Sequence, residues 1–415
     1  MIITNYGKQK VLKNNIITIA QKAKLAKKAD KNVIDSTIGM LNDENDEFVT
    51  FEVVKKVFPA ISGADAFAYS ATDGGSYFHK NVTKWVFGDY FETHESIHNV
   101  VVATAGGTGG LAGIIANYLN VGERVLVPNY MWESYITIAK EQHVGYLAYS
   151  LFDENNNFNI YSIKECIEEL KSKQDTIVLI INDPCHNPTG YCMNDDDYHR
   201  LVNLINSYKD TSIVLVMDMA YFDYYNDDLS IIRNRYKKLL DFPKNVMVIY
   251  TFSGSKTFGL YGLRIGACIA VSKDENELKS YKDAMEFSAR SKWGSSCNLG
   301  ISIINSILGS EENIILFKNE LKNICSTLSK RAQVFLAECN NVDLNILPFE
   351  RGFFATIPCK NPESIVCKLN QKGAYFIPTK NGIRVALCAI SVEESKKIPA
   401  LIKNALLEEN LWKVI

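Results

Sequence analysis

One lysine of this chain lies among residues of types that can bind phosphate. Lys256 follows Ser253 and Ser255, and Arg264 comes eight residues later, in the segment YTFSGSKTFGLYGLRIGAC from residue 250 to 268. Hydroxyls hydrogen-bond phosphates, and an arginine pairs with them through two parallel hydrogen bonds. A lysine amine is protonated and inert in water, so this setting predicts that a phosphorylated aldehyde holds Lys256 as an imine. The cofactor that fits is pyridoxal phosphate; the alternative, a solvated surface lysine, suits a position after an apolar strand less well.

Two further segments carry polar residues that suit the ring of such a cofactor. Asp218 closes the apolar run SIVLVMD, where a carboxylate without a cationic partner is unfavourable. A protonated pyridine nitrogen is such a partner and lets the ring accept electrons. Tyr221 and Asn187, the latter in NDPCHNPTGY, can reach the ring hydroxyl. The residues alone equally allow Asp218 to cap a helix and Asn187 to end a strand in an ordinary loop.

A glycine turn and an aromatic residue offer weaker signals. The turn AGGTGG (residues 105–110) leads from a strand into the helical stretch LAGIIANYL, so its backbone amides can face an anion at a helix N-terminus. It is not a Walker loop, because no lysine followed by Ser or Thr closes it. Trp132 offers a flat face on which an aromatic cofactor can stack. An unliganded helix turn and core packing remain the alternatives.

Arg384 lies in the strand-like run NGIRVALCAIS near the end of the chain. A buried arginine needs an anion, and the α-carboxylate of a substrate would supply one. An internal salt bridge is the more common use of such an arginine and stays open.

Short apolar runs that alternate with helical stretches must position these residues. Because continuous apolar strands separated by helices indicate a mainly parallel sheet, the sequence predicts an α/β fold. Ligands of such sheets bind beyond the carboxyl ends of the strands, which is where the residues above fall. The runs are VVVAT (residues 100–104), RVLVP (124–128), TIVLIIND (176–183), SIVLVMD (212–218) and VMVIYTF (246–252).

Length and composition restrict the class of protein. A chain of 415 residues is longer than a domain with a single hydrophobic core usually is, so we expect two domains. We place a large cofactor domain at residues 49–310 and a smaller α+β domain at residues 1–48 and 311–415. A net charge of −2 does not indicate the basic surface that a nucleic-acid-binding protein needs. Ten cysteines without metal-ligand spacing and the absence of a long apolar stretch predict reduced thiols, no metal site, no membrane span and a cytoplasmic protein.

Taken in order, these motifs resemble the fold type I pyridoxal-phosphate enzymes, specifically the class I/II aminotransferases related to aspartate and aromatic aminotransferases. The likeness runs from about Ile38 to Arg384. The resemblance implies a seven-stranded, mainly parallel sheet in the large domain and a homodimer with shared active sites. The motifs that carry it are GGTGG, the tryptophan segment, HNPTG, DMAY, SGSK with Arg264, and the late arginine.

The resemblance also implies a role for each site residue. Lys256 is the Schiff-base lysine and the acid/base that moves the proton between the substrate and the cofactor. By this resemblance, Asp218 contacts the pyridine nitrogen, and Asn187 and Tyr221 contact the ring hydroxyl. Trp132 stacks on the ring, and Arg384 binds the substrate carboxylate. The remaining implied contacts are the phosphate cup (Gly106, Gly107, Thr108, Ser253, Ser255 and Arg264), backbone over the substrate (Gly39), the neighbouring subunit's phosphate (Tyr69) and a second substrate carboxylate (Arg290).

Two departures from the family pattern bear on these roles. Gly106 stands where relatives often have a serine or alanine, so a hydroxyl contact is missing. Residues flanking Arg290 differ from those of dicarboxylate-specific relatives, which leaves a surface or interface arginine as the alternative.

The predicted function is the transfer of an amino group between an L-amino acid, aromatic or dicarboxylic, and a 2-oxo acid by a ping-pong Schiff-base mechanism. One alternative keeps the cofactor and makes the chain a C–S β-lyase. A second treats Ser253 to Lys256 as the SxxK motif of an acyl-serine enzyme, although no KTG triad accompanies it. A third is the effector-binding half of a transcription regulator, although no basic helix-turn-helix extension precedes the domain.

Overall fold

The computed structural model describes residues 2–12, 16–94, 96–226 and 228–411. The chain divides into a larger unit (residues 48–330 and 347–354) and a smaller unit (residues 1–47, 331–346 and 355–415). This division differs from the boundary at residue 311 that the sequence suggested, because the residues from 311 to 330 pack within the larger unit. Phe317, for example, lies with its ring centroid 5.4 Å from that of Phe51 and 5.3 Å from that of Trp85.

Eleven strands occur in the described residues. In chain order they are β1 (Ile34–Ser36), β2 (His98–Thr104), β3 (Arg124–Pro128), β4 (Gly145–Tyr149), β5 (Thr176–Asn182), β6 (Ser212–Asp218), β7 (Val246–Ser253), β8 (Gly266–Ser272), β9 (Phe354–Pro358), β10 (Ala374–Thr379) and β11 (Gly382–Ala386).

Helices account for most of the remaining described residues. They are α1 (Asn5–Gln9), α2 (Ile16–Ala29), α3 (Glu52–Val57), α4 (Gly63–Phe67), α5 (Ser76–Phe87), α6 (Tyr90–Thr93), α7 (Gly106–Tyr118), α8 (Ser134–Glu141), α9 (Ile160–Leu170), α10 (Asp195–Ser207), α11 (Ser230–Lys237), α12 (Gly254–Thr257), α13 (Glu275–Lys292), α14 (Asn298–Leu308), α15 (Glu311–Asn341), α16 (Pro362–Gln371) and α17 (Val392–Leu411). Short 3₁₀ turns occur at Phe58–Ala60, Phe222–Tyr224 and Leu387–Ala389.

A seven-stranded sheet forms the centre of the larger unit, in the order β2-β8-β7-β6-β5-β3-β4. Strand β8 is antiparallel to β2 and to β7, whereas the other neighbouring strands run parallel. The predicted α/β fold with a mainly parallel seven-stranded sheet is confirmed. The five apolar runs lie in β2, β3, β5, β6 and β7, and the sequence reading did not identify β4 or β8.

Apolar side chains hold helices against this sheet. Ile114 and Ile115 of α7 are buried in one cluster with Val178 of β5 and Val214 of β6. Strands β5 and β6 are buried along nearly their whole length, as strands covered on both faces must be. The sheet therefore fixes the position of the polar residues at its carboxyl ends.

The smaller unit contains a four-stranded sheet in the order β1-β10-β11-β9. Strand β1 runs parallel to β10, and β10 runs antiparallel to β11, where Ile377 is opposite Arg384. Within the described part of the chain, no helix has the length and apolar run needed to cross a membrane. The same residues hold no group of three or more His, Cys, Asp or Glu side chains suited to a metal ion.

Candidate active site

Three polar residues lie side by side at the carboxyl ends of neighbouring strands. Asp218, the last residue of β6, is in register with Asn182 of β5 and with Thr251 of β7. The residues that precede Asn182 and Asp218 in their strands are mostly apolar and buried, so these two polar side chains meet at the carboxyl edge of the sheet. This edge of the sheet is the place where open α/β sheets bind ligands.

The carboxylate of Asp218 is buried and accepts hydrogen bonds from neutral donors. The Tyr135 hydroxyl donates to Oδ2 over 2.5 Å, and the Ala220 backbone N–H and the Thr251 hydroxyl donate to Oδ1 over 3.3 and 3.4 Å. Burial raises the pKa of the Asp218 carboxyl, and the hydrogen bonds from its three donors offset part of that rise. A cation placed against this carboxylate would therefore be strongly stabilised.

A buried amide connects Asp218 to Asn187. The Asn182 side chain donates to the Asp218 carbonyl over 2.7 Å and accepts from the Asn187 backbone N–H, also over 2.7 Å. Asn182 and Asn187 are 5% and 6% exposed, so both amides are fixed by the protein interior. The loop that follows β5 is thereby held against the end of β6.

Lys256 lies in the short helix α12, directly after β7. Its amine nitrogen Nζ is 4.8 Å from the ring centroid of Tyr261, 5.5 Å from that of Tyr221 and 5.9 Å from that of Phe353. The Tyr224 hydroxyl donates to the Lys256 carbonyl over 2.6 Å, which anchors the main chain at this position. The aromatic rings limit the directions in which the flexible side chain can point.

Arg264 and the start of α7 lie on another side of the same site. The Arg264 guanidinium donates from Nη1 to the Ser255 hydroxyl over 3.0 Å and to the Tyr261 carbonyl over 3.1 Å. Gly106 begins α7 with a φ of +69°, and a Cβ at this position would be 2.8 Å from Arg264 Nη2. Only glycine therefore lets the helix N-terminus and the guanidinium approach so closely.

These groups surround one cavity of about 200 Å³ in the larger unit. Ten of the predicted site residues line it: Gly107, Thr108, Trp132, Asn187, Asp218, Tyr221, Ser253, Ser255, Lys256 and Arg264. Four lining residues were not identified from the sequence, namely Leu111, Asn182, Ala220 and Tyr261. The structure thus brings together residues from five separate segments of the chain.

The other predicted residues are not in that lining. Gly106 lies behind it, against Arg264. Tyr69 is 92% exposed, and Arg290 is exposed on α13. Gly39 and Arg384 belong to the smaller unit, where Arg384 is 6% exposed and donates from Nη2 to the Thr37 carbonyl over 2.7 Å.

Two of the residues that sequence reasoning missed had a signal. Asn182 ends an apolar strand in the same way as Asp218, and Tyr261 lies between Lys256 and Arg264 within the lysine motif. Tyr135 follows Trp132 by three residues, but nothing in the sequence indicates its contact with a residue 83 positions away.

Comparison with known proteins identifies the family to which the chain belongs. The family model described as aminotransferase class I and II matches residues 31–400. The cytoplasmic aspartate aminotransferase of Dictyostelium discoideum is 27% identical over 311 residues, which cover 74% of this chain and 69% of that protein. The crystal structure of an aminotransferase from Anaerococcus prevotii superimposes with a TM-score of 0.92 at 27% identity and covers 98% of each chain.

A third protein shares the fold at lower identity. The aromatic-amino-acid aminotransferase of Burkholderia pseudomallei, whose crystal structure has pyridoxal phosphate covalently bound, is 19% identical with a TM-score of 0.80 and covers 97% of this chain and 100% of its own. Because the family model spans most of the sequence, the chain belongs to the class I and II aminotransferases, a pyridoxal-phosphate-dependent family, and is a transaminase.

Proposed function

We propose that this transaminase binds pyridoxal phosphate through Lys256 and moves an amino group between an L-amino acid, aromatic or dicarboxylic, and a 2-oxo acid. One observation carries the proposal: a single cavity brings Lys256 together with a buried carboxylate, Asp218, and with Arg264. Bound pyridoxal phosphate supplies an electron sink that stabilises negative charge on the substrate's α-carbon. The acyl-serine alternative for Ser253 and the regulator alternative are set aside, because the chain belongs to the aminotransferase family.

The residues present fit both ends of such a cofactor. The Asp218 carboxylate has neutral donors as its partners among the described residues, so a protonated pyridine nitrogen suits it as a counter-ion. At the other end, Gly106 leaves space for Arg264 beside the N-terminus of α7, where a phosphate would be favoured by both the guanidinium and the helix amides. Asn187 and Tyr221 line the cavity between these ends and are proposed to bind the ring hydroxyl.

The rings around Lys256 suit its proposed second role as the acid/base of the reaction. Tyr221, Tyr261 and Phe353 confine the side chain, and the Tyr224 hydroxyl fixes its main chain. A confined amine is already oriented toward the substrate's α-proton, which lowers the entropic part of the barrier to proton transfer. Trp132 also lines the cavity and offers its face for stacking on the ring.

We assign the substrate's α-carboxylate to Arg384 of the smaller unit. This arginine is buried and donates a hydrogen bond to the Thr37 carbonyl. A guanidinium can also pair with a carboxylate through two parallel hydrogen bonds. Gly39, two residues after Thr37, is proposed to pass its backbone over the substrate. An Arg384→Lys variant should lower kcat/KM for every amino acid tested, because lysine cannot form the bidentate pair.

A homodimer with shared active sites is part of the proposal. Tyr69 is 92% exposed, so in one chain its hydroxyl has no place in the cavity lining, and a partner's phosphate is the proposed contact. Arg290 is proposed to reach a partner's bound dicarboxylate. Arg290→Ala should then lower kcat/KM for aspartate about tenfold or more and leave that for phenylalanine unchanged, on the scale of one charged hydrogen bond; equal losses would argue against the assignment.

The central test is covalent trapping at Lys256. Wild-type protein supplied with pyridoxal phosphate and then reduced with borohydride should carry a pyridoxyl group on the peptide that contains Lys256. Lys256→Ala should keep its fold, trap no adduct and lose turnover. Lys292→Ala is the matched control, because Lys292 lies in the same unit but is not in the cavity lining. A Lys256→Ala protein that still transaminates would contradict the proposal.

The kinetic form of the reaction is tested separately. A single site that releases the first keto acid before the second one binds should give parallel lines in double-reciprocal plots of rate against amino acid at several keto-acid concentrations. The C–S β-lyase alternative predicts instead that cystathionine yields pyruvate and ammonia without any added keto acid.

A further inference from the structure

A tyrosine that no motif identified makes the shortest contact to the Asp218 carboxylate. Tyr135 lies in the first turn of α8, and its hydroxyl is 2.5 Å from Asp218 Oδ2. The two residues are 1% and 6% exposed, so both partners are held in the protein interior. A hydrogen bond of this length between a hydroxyl and a carboxylate is at the strong end of its class.

We propose that Tyr135 is a positioning residue that keeps Asp218 ionised and thereby keeps the pyridine nitrogen of bound pyridoxal phosphate protonated. The inference rests on the proposed cofactor site and assigns a role to a residue outside it. Tyr135 is absent from the cavity lining, so it acts through Asp218 and not on the substrate.

The geometry makes Tyr135 the main donor to this carboxylate. The donors to Oδ1, the Ala220 N–H and the Thr251 hydroxyl, are at 3.3 and 3.4 Å, where hydrogen bonds are weak. A donor stabilises the charged form of a carboxyl and lowers its affinity for a proton. Without the Tyr135 hydroxyl, a proton shared with the pyridine nitrogen would move toward Asp218, and the ring would lose positive charge.

The neighbouring tryptophan holds the hydroxyl in place. The rings of Trp132 and Tyr135 meet edge to face, with centroids 5.6 Å apart, and the Tyr135 N–H donates to the Trp132 carbonyl over 3.0 Å. Burial and the Asp218 carboxylate raise the pKa of Tyr135 well above 10, so the hydroxyl remains a donor. The segment from Trp132 to Tyr135, at the start of α8, thus contributes one residue to the cavity lining and one hydrogen bond to the carboxylate.

The test compares Tyr135→Phe with wild type, each loaded with pyridoxal phosphate. Two quantities are measured: the dissociation constant of the cofactor, and the pH midpoint of the visible absorbance change of the lysine-bound cofactor. We expect the dissociation constant to rise about tenfold, as for the loss of one hydrogen bond to a charged group. The midpoint should rise, because a ring with less positive charge favours protonation of the nitrogen that joins it to Lys256.

Tyr149→Phe is the matched control. Tyr149 is also 1% exposed, but its hydroxyl donates to the Ile180 carbonyl over 3.1 Å and not to a charged group. Both quantities should therefore stay at their wild-type values in this variant. Equal changes in Tyr135→Phe and Tyr149→Phe would reduce Tyr135 to a packing role and overturn the proposal.

A second, nearly isosteric variant covers the case in which Tyr135→Phe fails to fold. Site-specific 3-fluorotyrosine at position 135 has a more acidic hydroxyl and is a stronger donor, so the midpoint should fall. A fluorinated protein with the wild-type midpoint would refute the role. Wild-type protein that takes up no pyridoxal phosphate contradicts the proposed cofactor site as well, whereas a coloured wild type beside an unaffected Tyr135→Phe variant contradicts only the role of Tyr135.

Discussion

Replacing Asp223 with asparagine is expected to remove a large part of the pH dependence of folding stability between pH 4 and 8. Asp223 is 1% exposed and accepts hydrogen bonds from Trp85 Nε1 over 2.9 Å and from the Thr257 hydroxyl over 2.5 Å. Thr257 follows Lys256 directly, so this carboxylate fixes the turn that carries the Lys256 side chain. Burial raises the pKa of Asp223 to about 7, against the two hydrogen bonds, which lower it.

The sign and size of the pH dependence of folding stability follow from the pKa of Asp223. The carboxyl binds its proton more tightly in the folded chain than in the unfolded chain, where its pKa is near 3.8. Its contribution to stability is therefore complete below about pH 4 and is lost as the pH rises through 7. A difference between 3.8 and about 7 corresponds to roughly 4 kcal/mol, an upper figure for one fully buried group.

The assay is urea unfolding of cofactor-free protein at pH 5 and at pH 8, followed by tryptophan fluorescence. Three of the chain's four tryptophans, Trp85, Trp132 and Trp293, belong to the larger unit, so most of the signal reports on the unit that contains Asp223. Asparagine keeps an acceptor for Trp85 and cannot ionise. Asp223→Asn should therefore lose less stability than wild type between the two pH values.

A second variant, expected to increase the pH dependence of stability, makes the test stricter. Thr257→Val removes a donor that lowers the pKa of Asp223, so the loss of stability between pH 5 and pH 8 should grow. Asp183, whose pKa burial also raises to about 7, should account for a similar part of the wild-type dependence. If wild type, Asp223→Asn and Thr257→Val showed the same difference between the two pH values, the buried carboxylate would not be the source of it.

Three further substitutions test the proposed cofactor site. Gly106→Ala should destabilise the protein by about 1 kcal/mol or more, because φ is positive and the new Cβ would meet Arg264, and calorimetric Tm together with cofactor binding would show it. Arg264→Lys should weaken binding of pyridoxal phosphate about tenfold, because lysine lacks the planar fork; equilibrium dialysis measures this. Tyr224→Phe removes the donor to the Lys256 carbonyl and should lower kcat more than it changes KM in steady-state assays. An unchanged value in any of these would contradict the corresponding contact.

The strands that the sequence predicted are those with continuous apolar runs. Strand β4 was missed because it lies at the edge of the sheet, where only its last residue, Tyr149, is buried. Strand β8 was missed because it begins in a glycine-containing segment of small residues. A strand that is buried on both faces has a continuous apolar run, which can be recognised from that segment without knowing its neighbours. An edge strand depends on the neighbour it pairs with, which the local sequence does not specify.

The same distinction applies to the site. Asp218 and Lys256 each follow an apolar strand, so position and residue type together predicted that they share one edge of the sheet. The contact of Tyr135 with Asp218 depends on the orientation of α8 relative to β6, which only packing determines. Tyr261 likewise enters the cavity because the chain turns back after α12.

The charges in the cavity restrict what it can recognise. Among the described residues that line it, only Asp218, Lys256 and Arg264 carry a charge. In the proposed complex all three are used by the cofactor, which takes Asp218 at the ring nitrogen, Arg264 at the phosphate and Lys256 at the aldehyde. A charged substrate group therefore has no counter-ion in this lining, so a counter-ion for a second substrate carboxylate must come from residues outside it. That is why Arg290, exposed on α13, is the residue whose substitution should separate the two substrate classes.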